Sequence, residues 1–161
     1  MLDGKQIRSG SVPAAALAKT YAAVQLGAAF TVTTTTLADV PMMNFAGLEA
    51  FATYVFHWTL LITQSSGTGV VGVGVNFSAS ITRIAASAFI ANGITGVTIR
   101  ATQTNNTALV DNAARSTGGP SPVILTGSIT AGAAGRLSLR AQRSAGTTLI
   151  GAGSFGFIVE Q

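Results

Sequence analysis

The sequence predicts an all-β protein with two packed layers of strands, a sandwich or a barrel. Apolar and polar residues alternate with a period of two in several runs, and residues 54–63 are the clearest of them. These runs are rich in aromatic and β-branched residues, and turns of Gly, Ser, Thr and Asn separate them. From residue 28 to residue 161 strand signals recur roughly every eight to fifteen residues, the spacing typical of such folds.

The first 27 residues differ from the rest and are predicted to form an N-terminal arm. Good helix formers follow Pro13, and the spacing of Leu17, Tyr21 and Val24 suits one face of a short amphipathic helix over residues 12–24. An extended arm is the alternative, and the pattern does not separate the two. We therefore divide the chain into an attachment arm, residues 1–27, and a β-domain, residues 28–161.

The β-domain contains nine segments with strand patterns. They are residues 30–36, 51–63, 70–77, 78–84, 97–103, 108–112, 123–130, 136–143 and 154–160. In the second segment the large apolar side chains share one face, which we expect in the core. They are Tyr54, Phe56, Trp58, Leu60 and Ile62.

The last strands of the domain have informative faces. Phe155, Phe157 and Val159 share one side of the closing segment, and the same reasoning predicts that this side is the inner one. Val123, Ile124 and Leu125 are apolar on both faces, which predicts a strand that is central or covered by an interface. Residues 111–122 form the clearest loop.

The composition indicates that part of the surface is covered. The chain has nine Lys and Arg and five Asp and Glu, and its mean hydropathy is +0.51. A freely diffusing monomer normally carries more surface charge. Polar residues interrupt the charge-free interval between Glu49 and Arg83, so no apolar segment of about 18 residues exists and membrane insertion is not expected. We therefore expect homo-oligomerisation.

Several partners and compartments are not expected. The net charge of +4 comes from scattered arginines rather than from a basic block, so nucleic-acid binding is not predicted. The absence of cysteine excludes disulfides, thiolate metal sites and a cysteine nucleophile. Lys19 and Gln25 break the early Ala-rich stretch, which excludes a secretory signal peptide and predicts synthesis in the cytoplasm.

No pattern in the sequence predicts catalysis, a metal site or a cofactor. Residues 67–72 match G-x-G-x-x-G, but a strand rather than a helix follows, so we interpret them as a turn that enters a Gly-rich strand. His57 is the single histidine and has no acidic neighbour in sequence, so we interpret it as structural. The five acidic residues are widely separated and predict no catalytic pair. Arg136 and Arg140 should share the solvated face of one strand.

The leader contains a short pattern that resembles a family. Residues 4–17 fit Gly-x-Gln-Ile-x-x-Gly-(Thr/Ser)-(Ile/Val)-Pro-x-x-x-Leu, with Ile7, Ser11-Val12-Pro13 and Leu17 among the matching positions. This resembles the starts of fibre and appendage proteins of tailed bacteriophages. The remainder is similar to the small β-jelly-roll domains of phage virion proteins, through residues 52–56, 123–130, 134–140 and 153–155.

The resemblance implies an all-β jelly-roll sandwich of about eight to nine strands with a short N-terminal arm or helix. It implies a non-enzymatic structural protein of the virion, made in the host cytoplasm, that forms a homotrimeric short fibre or decoration. The arm would attach it to other capsid or tail proteins through Ile7, Val12, Leu17 and Tyr21.

Distal loops, with Arg115 and Arg143, would be available to contact a host-surface glycan or a neighbouring capsomer. The alternative from another class is a stand-alone carbohydrate-binding module or lectin-like adhesin. Such a module needs an exposed aromatic platform or a concave polar site. Trp58, the single tryptophan, is instead in phase with the core residues.

Overall fold

The computed structural model describes residues 21–65, 69–91, 97–110 and 119–161. These residues form twelve β-strands and no helix. The strands are β1 (Tyr21–Gln25), β2 (Phe30–Val32), β3 (Ala38–Leu48), β4 (Thr53–Gln64), β5 (Val71–Phe77), β6 (Ile81–Ala91), β7 (Val97–Thr102), β8 (Leu109–Val110), β9 (Ser121–Ala131), β10 (Gly135–Arg143), β11 (Thr148–Ile150) and β12 (Phe155–Glu160).

The strands form two antiparallel sheets. The large sheet has eight strands, six of them in the order β1-β12-β4-β9-β6-β7, and the short pair β2 and β11 joins it beside β4. The small sheet has four strands in the order β3-β10-β5-β8. The two sheets enclose one apolar core, so the predicted all-β sandwich is confirmed.

The strand pairing is that of a jelly roll. Eight strands remain when the β6–β7 hairpin and the short pair β2 and β11 are set aside. The first of these pairs with the last (β1–β12), the second with the seventh (β3–β10), the third with the sixth (β4–β9) and the fourth with the fifth (β5–β8). A folded ribbon wrapped into two sheets gives this double Greek-key wiring. The β6–β7 hairpin widens the large sheet beyond β9.

The core is centred on β4, whose residues alternate strictly between half-buried and buried. All five of the side chains that share its predicted inner face are buried, which confirms that prediction. The Trp58 ring centroid lies 5.3 Å from that of Phe45 and 5.2 Å from that of Phe56. The buried Tyr54 hydroxyl accepts a hydrogen bond of 2.8 Å from the Glu49 N–H. Burial of each large side chain contributes about 1.5–3 kcal/mol.

Within residues 28–161, two strands lie where the sequence pattern predicts none. β3 contains Pro41, and its pairing with β10 shifts in register twice, so alternation of apolar residues is lost. Within it Met42 has a φ of 63°, a left-handed conformation that is uncommon for a long side chain. β11 has only three residues, too short for periodicity to be visible. β6 extends to Ala91, well beyond the predicted end at residue 84. The prediction ended too early because the Ala and Ser residues of this strand have low strand propensity.

The N-terminal arm is described only at its end. Residues 21–25, which the composition assigns to the arm, form β1 and pair with β12 from Tyr21–Val159 to Gln25–Phe155. The helical interpretation is therefore wrong for residues 21–24, and the sheet begins before the predicted boundary at residue 28. Residues 1–20 lie outside the described residues.

The predicted orientation of β12 is wrong. Ser154, Gly156 and Ile158 are buried, whereas Phe155 is 43 % exposed. The cause is Trp58 on the neighbouring strand, since a Cβ at position 156 would lie 2.2 Å from Trp58 Cδ1. Only glycine fits beneath that indole, and the period of two then turns Phe155 and Phe157 to the outer face.

A candidate interface on the outer face of the large sheet

The outer face of the large sheet can be followed row by row, because directly opposed residues of antiparallel strands point to the same side. The central row contains Ala23, Phe157, His57, Thr126, Ser87 and Ala101, from β1 to β7. One neighbouring row contains Gln25, Phe155, Thr59, Ile124, Phe89 and Ile99. The other contains Val159, Val55, Ser128 and Ala85. We call these three rows the outer face.

The outer face has no formal charge. None of the residues in its three rows is Lys, Arg, Asp or Glu. Arg83 lies in the next row, where it pairs with Thr130 at the end of the sheet. Three large apolar side chains of the face are strongly exposed, namely Phe155 at 43 %, Phe89 at 39 % and Ile99 at 69 %.

The size of this face is comparable to that of a protein interface. Six strands about 4.8 Å apart and three rows about 7 Å apart cover roughly 600 Å². The largest apolar patch of an ordinary monomer is about 300–600 Å² and is often functional. A standard interface buries about 800 Å² of each partner. The outer face is therefore at the upper end of the range for an ordinary monomer and somewhat smaller than a standard interface.

Aromatic rings form the centre of one half of the outer face. His57 stacks on Phe157 with ring centroids 5.1 Å apart and planes 18° apart, and the centroid of Phe155 lies 6.5 Å from that of His57. Thr59 Oγ1 lies 2.9 Å from His57 Nε2, within hydrogen-bond distance. Burial lowers the pKa of His57, so the imidazole is neutral at pH 7 and adds no charge. The interpretation of His57 as a structural residue agrees with this packing.

The outer face of the small sheet has the opposite character. Arg140 Nε lies 2.9 Å from Asp39 Oδ1, and Arg136 Nη2 lies 3.6 Å from Asp39 Oδ2. Arg140 also donates to the Asn106 side-chain carbonyl. Arg136 and Arg140 therefore reach the same carboxylate from one side of the strand, as predicted. The predicted solvated face is wrong in part, because Ser138 between them is buried and the Arg140 side chain is only 21 % exposed. The large sheet also carries Arg83, Arg100 and Glu160, but none of them lies in the three rows of its outer face.

The predicted attachment and loop residues are not brought together. Ile7, Val12, Leu17 and Arg115 lie outside the described residues, and of Tyr21 only the backbone in β1 is described. Arg143 is the last residue of β10 rather than a loop residue. Its N–H donates to the Thr34 carbonyl at 2.9 Å and its Nη2 donates to the Thr33 carbonyl at 3.2 Å. Its guanidinium therefore connects β10 to the segment after β2. The expected contact of Arg143 with a partner stays a prediction.

The glycine-rich motif leads into a strand, as its sequence context predicts. Residues 66–68 lie outside the described residues, and the chain from Gly69 enters β5 without a helix. In β5 a Cβ at Gly74 would lie 2.6 Å from the Thr107 carbonyl oxygen. Within the motif, a Cβ at Gly69 would lie 2.6 Å from the Ala145 carbonyl oxygen, so glycine at both positions permits close approach of another segment.

Across residues 21–65, 69–91, 97–110 and 119–161, no three His, Cys, Asp or Glu side chains come close enough to hold a metal ion. In that same part of the chain, no helix has the length and apolar character needed to cross a membrane.

Sequence reasoning did not identify the outer face as a site. The signal was present in residues 123–125, whose apolar character on both faces predicted a central or interface-covered strand. β9 is indeed central, between β4 and β6, with Ile124 on the outer face. The outer face could not be predicted from the sequence, because its rows depend on pairing between strands that are distant in sequence.

Comparisons with known proteins identify no family. No protein-family model matches the chain, and no curated protein matches it by sequence. Among solved structures, the Eiger TNF of S. frugiperda is similar over 89 % of this chain and 92 % of that chain, with 12 % identity and a TM-score of 0.44. The Gt strain structure of infectious bursal disease virus is similar over 89 % of this chain and 37 % of that chain, with 13 % identity and a TM-score of 0.27. These likenesses concern the β-sandwich fold and carry no argument about partners or activity.

Proposed function

We propose that this protein is a non-enzymatic structural component of a tailed-phage virion that assembles as a homotrimer through the outer face of its large sheet. In this proposal the protein forms a short fibre or a decoration, and the leader before β1 attaches it to capsid or tail proteins. The observation that carries the self-association is the charge-free outer face, with three large apolar side chains exposed. The leader pattern at residues 4–17 supports the place in the virion.

Burial of this face supplies the driving force for assembly. At about 25 cal/mol per Å² of apolar surface removed from water, a face of several hundred Å² contributes on the order of 10 kcal/mol per protomer before the costs of association. Polar side chains on the face, such as Thr59, Thr126 and Ser87, are short and uncharged. The free energy cost of removing these side chains from water is small compared with that of an ionised group.

A carbohydrate-binding module remains the second candidate, because the exposed Phe155 and the half-buried Phe157 form an aromatic surface that a sugar ring could stack on. The apolar character of the face, however, continues over β9, β6 and β7 to Ile99, well beyond the footprint of a sugar. Trp58, the usual kind of platform residue, is completely buried. The extent of the face favours a protein partner.

Native mass spectrometry and light scattering at micromolar concentration test the proposal. The expected result is a trimer with little free monomer. A clean monomer under these conditions contradicts the proposal, and a glycan-array signal from that monomer would favour the carbohydrate-binding module instead.

A further inference from the structure

His57 is the single histidine of the chain, and it lies near the middle of the outer face. It occupies the central row on β4, the third of the six strands from β1 to β7. Its ring is half-buried and stacks on Phe157 with centroids 5.1 Å apart. A molecule that covers the outer face therefore covers His57 as well.

Among the residues that the structure describes, no titratable side chain faces His57 from the strands beside it. Its neighbours on the outer face are Phe155 and Phe157 on β12, Val55 and Thr59 on β4, and Ile124 and Thr126 on β9. The nearest polar partner is Thr59, whose Oγ1 lies 2.9 Å from His57 Nε2. The ring therefore has aromatic contacts and a hydroxyl partner, but no carboxylate that would compensate a positive charge.

The charged side chains of the large sheet lie away from His57. Glu160 and Arg100 are opposed to buried residues of the neighbouring strands, so both point to the inner side of the sheet. Arg83 lies two rows from His57. At about 7 Å per row this separation exceeds the Debye length of about 8 Å at physiological salt. None of these groups can act as a counter-ion for an imidazolium at position 57.

We propose that protonation of His57 releases the outer face from the copy that covers it, so that acidification dissociates the assembly. This inference rests on the proposed self-association and adds its regulation. It requires another copy over His57, but no particular number of copies. The outer face offers no counter-ion, so the surface that covers it must also be uncharged, and the outer face of a second copy meets that condition.

The neutral and the protonated ring differ sharply in such a contact. A neutral imidazole can be enclosed with its hydrogen bond to Thr59 intact. An imidazolium between two uncharged faces is a buried charge without a partner, which is costly. The protonated protomer therefore keeps the face in water, where the charge is solvated.

The direction of the effect follows from proton linkage. Burial already lowers the pKa of His57 in the free protomer, and a covering copy removes more water and lowers it further. Both pKa values lie below the ordinary value of 6.5, and between them the free protomer binds more protons than the assembled one. In this window the logarithm of the dissociation constant should rise by up to about one per protomer for each pH unit of acidification.

Sedimentation velocity at micromolar concentration, from about pH 8 to about pH 5, measures the assembly across the range in which histidine titrates. The ring-proton NMR resonances of the single histidine report its protonation in the same buffers. The expected result is dissociation on acidification, with a midpoint that follows the titration of His57. Circular dichroism at each pH shows whether the released protomer is folded.

Two substitutions at the same position separate charge from shape. His57→Gln keeps a neutral polar group beside Thr59, so it should assemble like the parent and stay assembled on acidification. His57→Arg is charged throughout this pH range and should give a folded monomer even at about pH 8. The matched control is Ala134→Arg, which adds the same charge at an exposed position in the β9–β10 turn and should assemble normally.

The outcomes distinguish this inference from the proposed function. A parent protein that is monomeric at about pH 8 overturns the self-association and the switch together. A parent that is assembled equally at both ends of the range overturns only the switch. A His57→Gln variant that dissociates at the same pH as the parent also overturns the switch, because other groups then carry the titration. An assembled His57→Arg variant overturns it too, since the partner then leaves His57 uncovered.

Discussion

At the scale of single residues, Gly156 determines which face of β12 is exposed. Its position opposite Trp58 leaves no room for a Cβ, since such an atom would lie 2.5 Å from Trp58 Nε1 and 2.9 Å from the His57 carbonyl oxygen. The large residues of β12 are therefore directed outward, against the usual rule that the aromatic face is the inner one. The sequence shows that large and small residues alternate along β12. It does not show that Trp58 of β4 lies beside β12, and this neighbour determines which face of β12 is buried.

Gly156→Ala should lower the free energy of unfolding by about 1–3 kcal/mol, because the added methyl group overpacks the core against an immobile indole and backbone. The matched control is Gly27→Ala, where a Cβ would meet nothing within 4 Å. Urea unfolding measures the free energy of unfolding of both variants. One fixed protein concentration is used, so that oligomerisation contributes equally to the two values. Equal stability of the two variants would contradict the packing argument.

His57 should make stability depend on pH in the range from its lowered folded pKa up to about 7. Burial lowers its pKa in the folded protein below the ordinary value of 6.5. In that window the unfolded chain binds more protons than the folded one, so stability rises with pH. The contribution is fully present above pH 6.5 and is lost as the pH falls towards the lowered folded pKa.

The urea midpoint of the parent protein, measured from pH 5 to pH 8, should therefore fall on acidification. The chain has no other histidine, so His57→Gln should remove most of this slope. A slope that is unchanged in the His57→Gln variant would assign the titration to other groups.

At the scale of elements, the sequence predicts best the strands that are rich in β-branched and aromatic residues. β4, β5, β7 and β10 lie close to their predicted positions, because Val, Ile, Thr and aromatic residues in runs with a period of two favour strands. β3 was missed because Pro41 and two register shifts interrupt its period, and β1 was missed because Ala has high helix and low strand propensity. The candidate interface requires the pairing of β6 with β9, which no local pattern contains.

The exposed side of the β6–β7 hairpin should be necessary for association but not for folding of the subunit. Ile99→Asp places a charge at a side chain that is 69 % exposed on β7, so the subunit should fold while the trimer dissociates. The like-for-like control is Ala134→Asp in the exposed β9–β10 turn. Sedimentation velocity should show monomer for the first variant and trimer for the second. A trimeric Ile99→Asp protein would place the interface elsewhere.

At the scale of the whole molecule, the two outer faces of the sandwich differ in charge. The outer face of the small sheet carries the Asp39 ion pairs and remains compatible with water. The outer face of the large sheet has no ionised group in its three central rows. The low charge count of the sequence predicts a covered surface, and the fold makes the outer face of the large sheet the candidate for it.

Removal of residues 1–20 should leave a folded trimer that no longer joins particles. The deletion must stop before Tyr21, because β1 belongs to the large sheet and pairs with β12 along its whole length. Light scattering measures the trimer, and incorporation into particles is measured by complementation of a phage that lacks the protein. Normal incorporation of the truncated protein would contradict the attachment role, and loss of the trimer would show that the leader also supports assembly.

The junction between the leader and β1 has a consequence for the strength of attachment. Tyr21 pairs with Val159, one residue before the end of β12. In a threefold trimer the three copies of this junction would lie at the same height along the axis. The three leaders would then start at the same level of the trimer. Once one leader was bound, the other two would search a small volume, and avidity would exceed the single affinity by roughly 10²–10⁴. A leader that binds weakly and exchanges readily as a free peptide would then suffice for a lasting attachment.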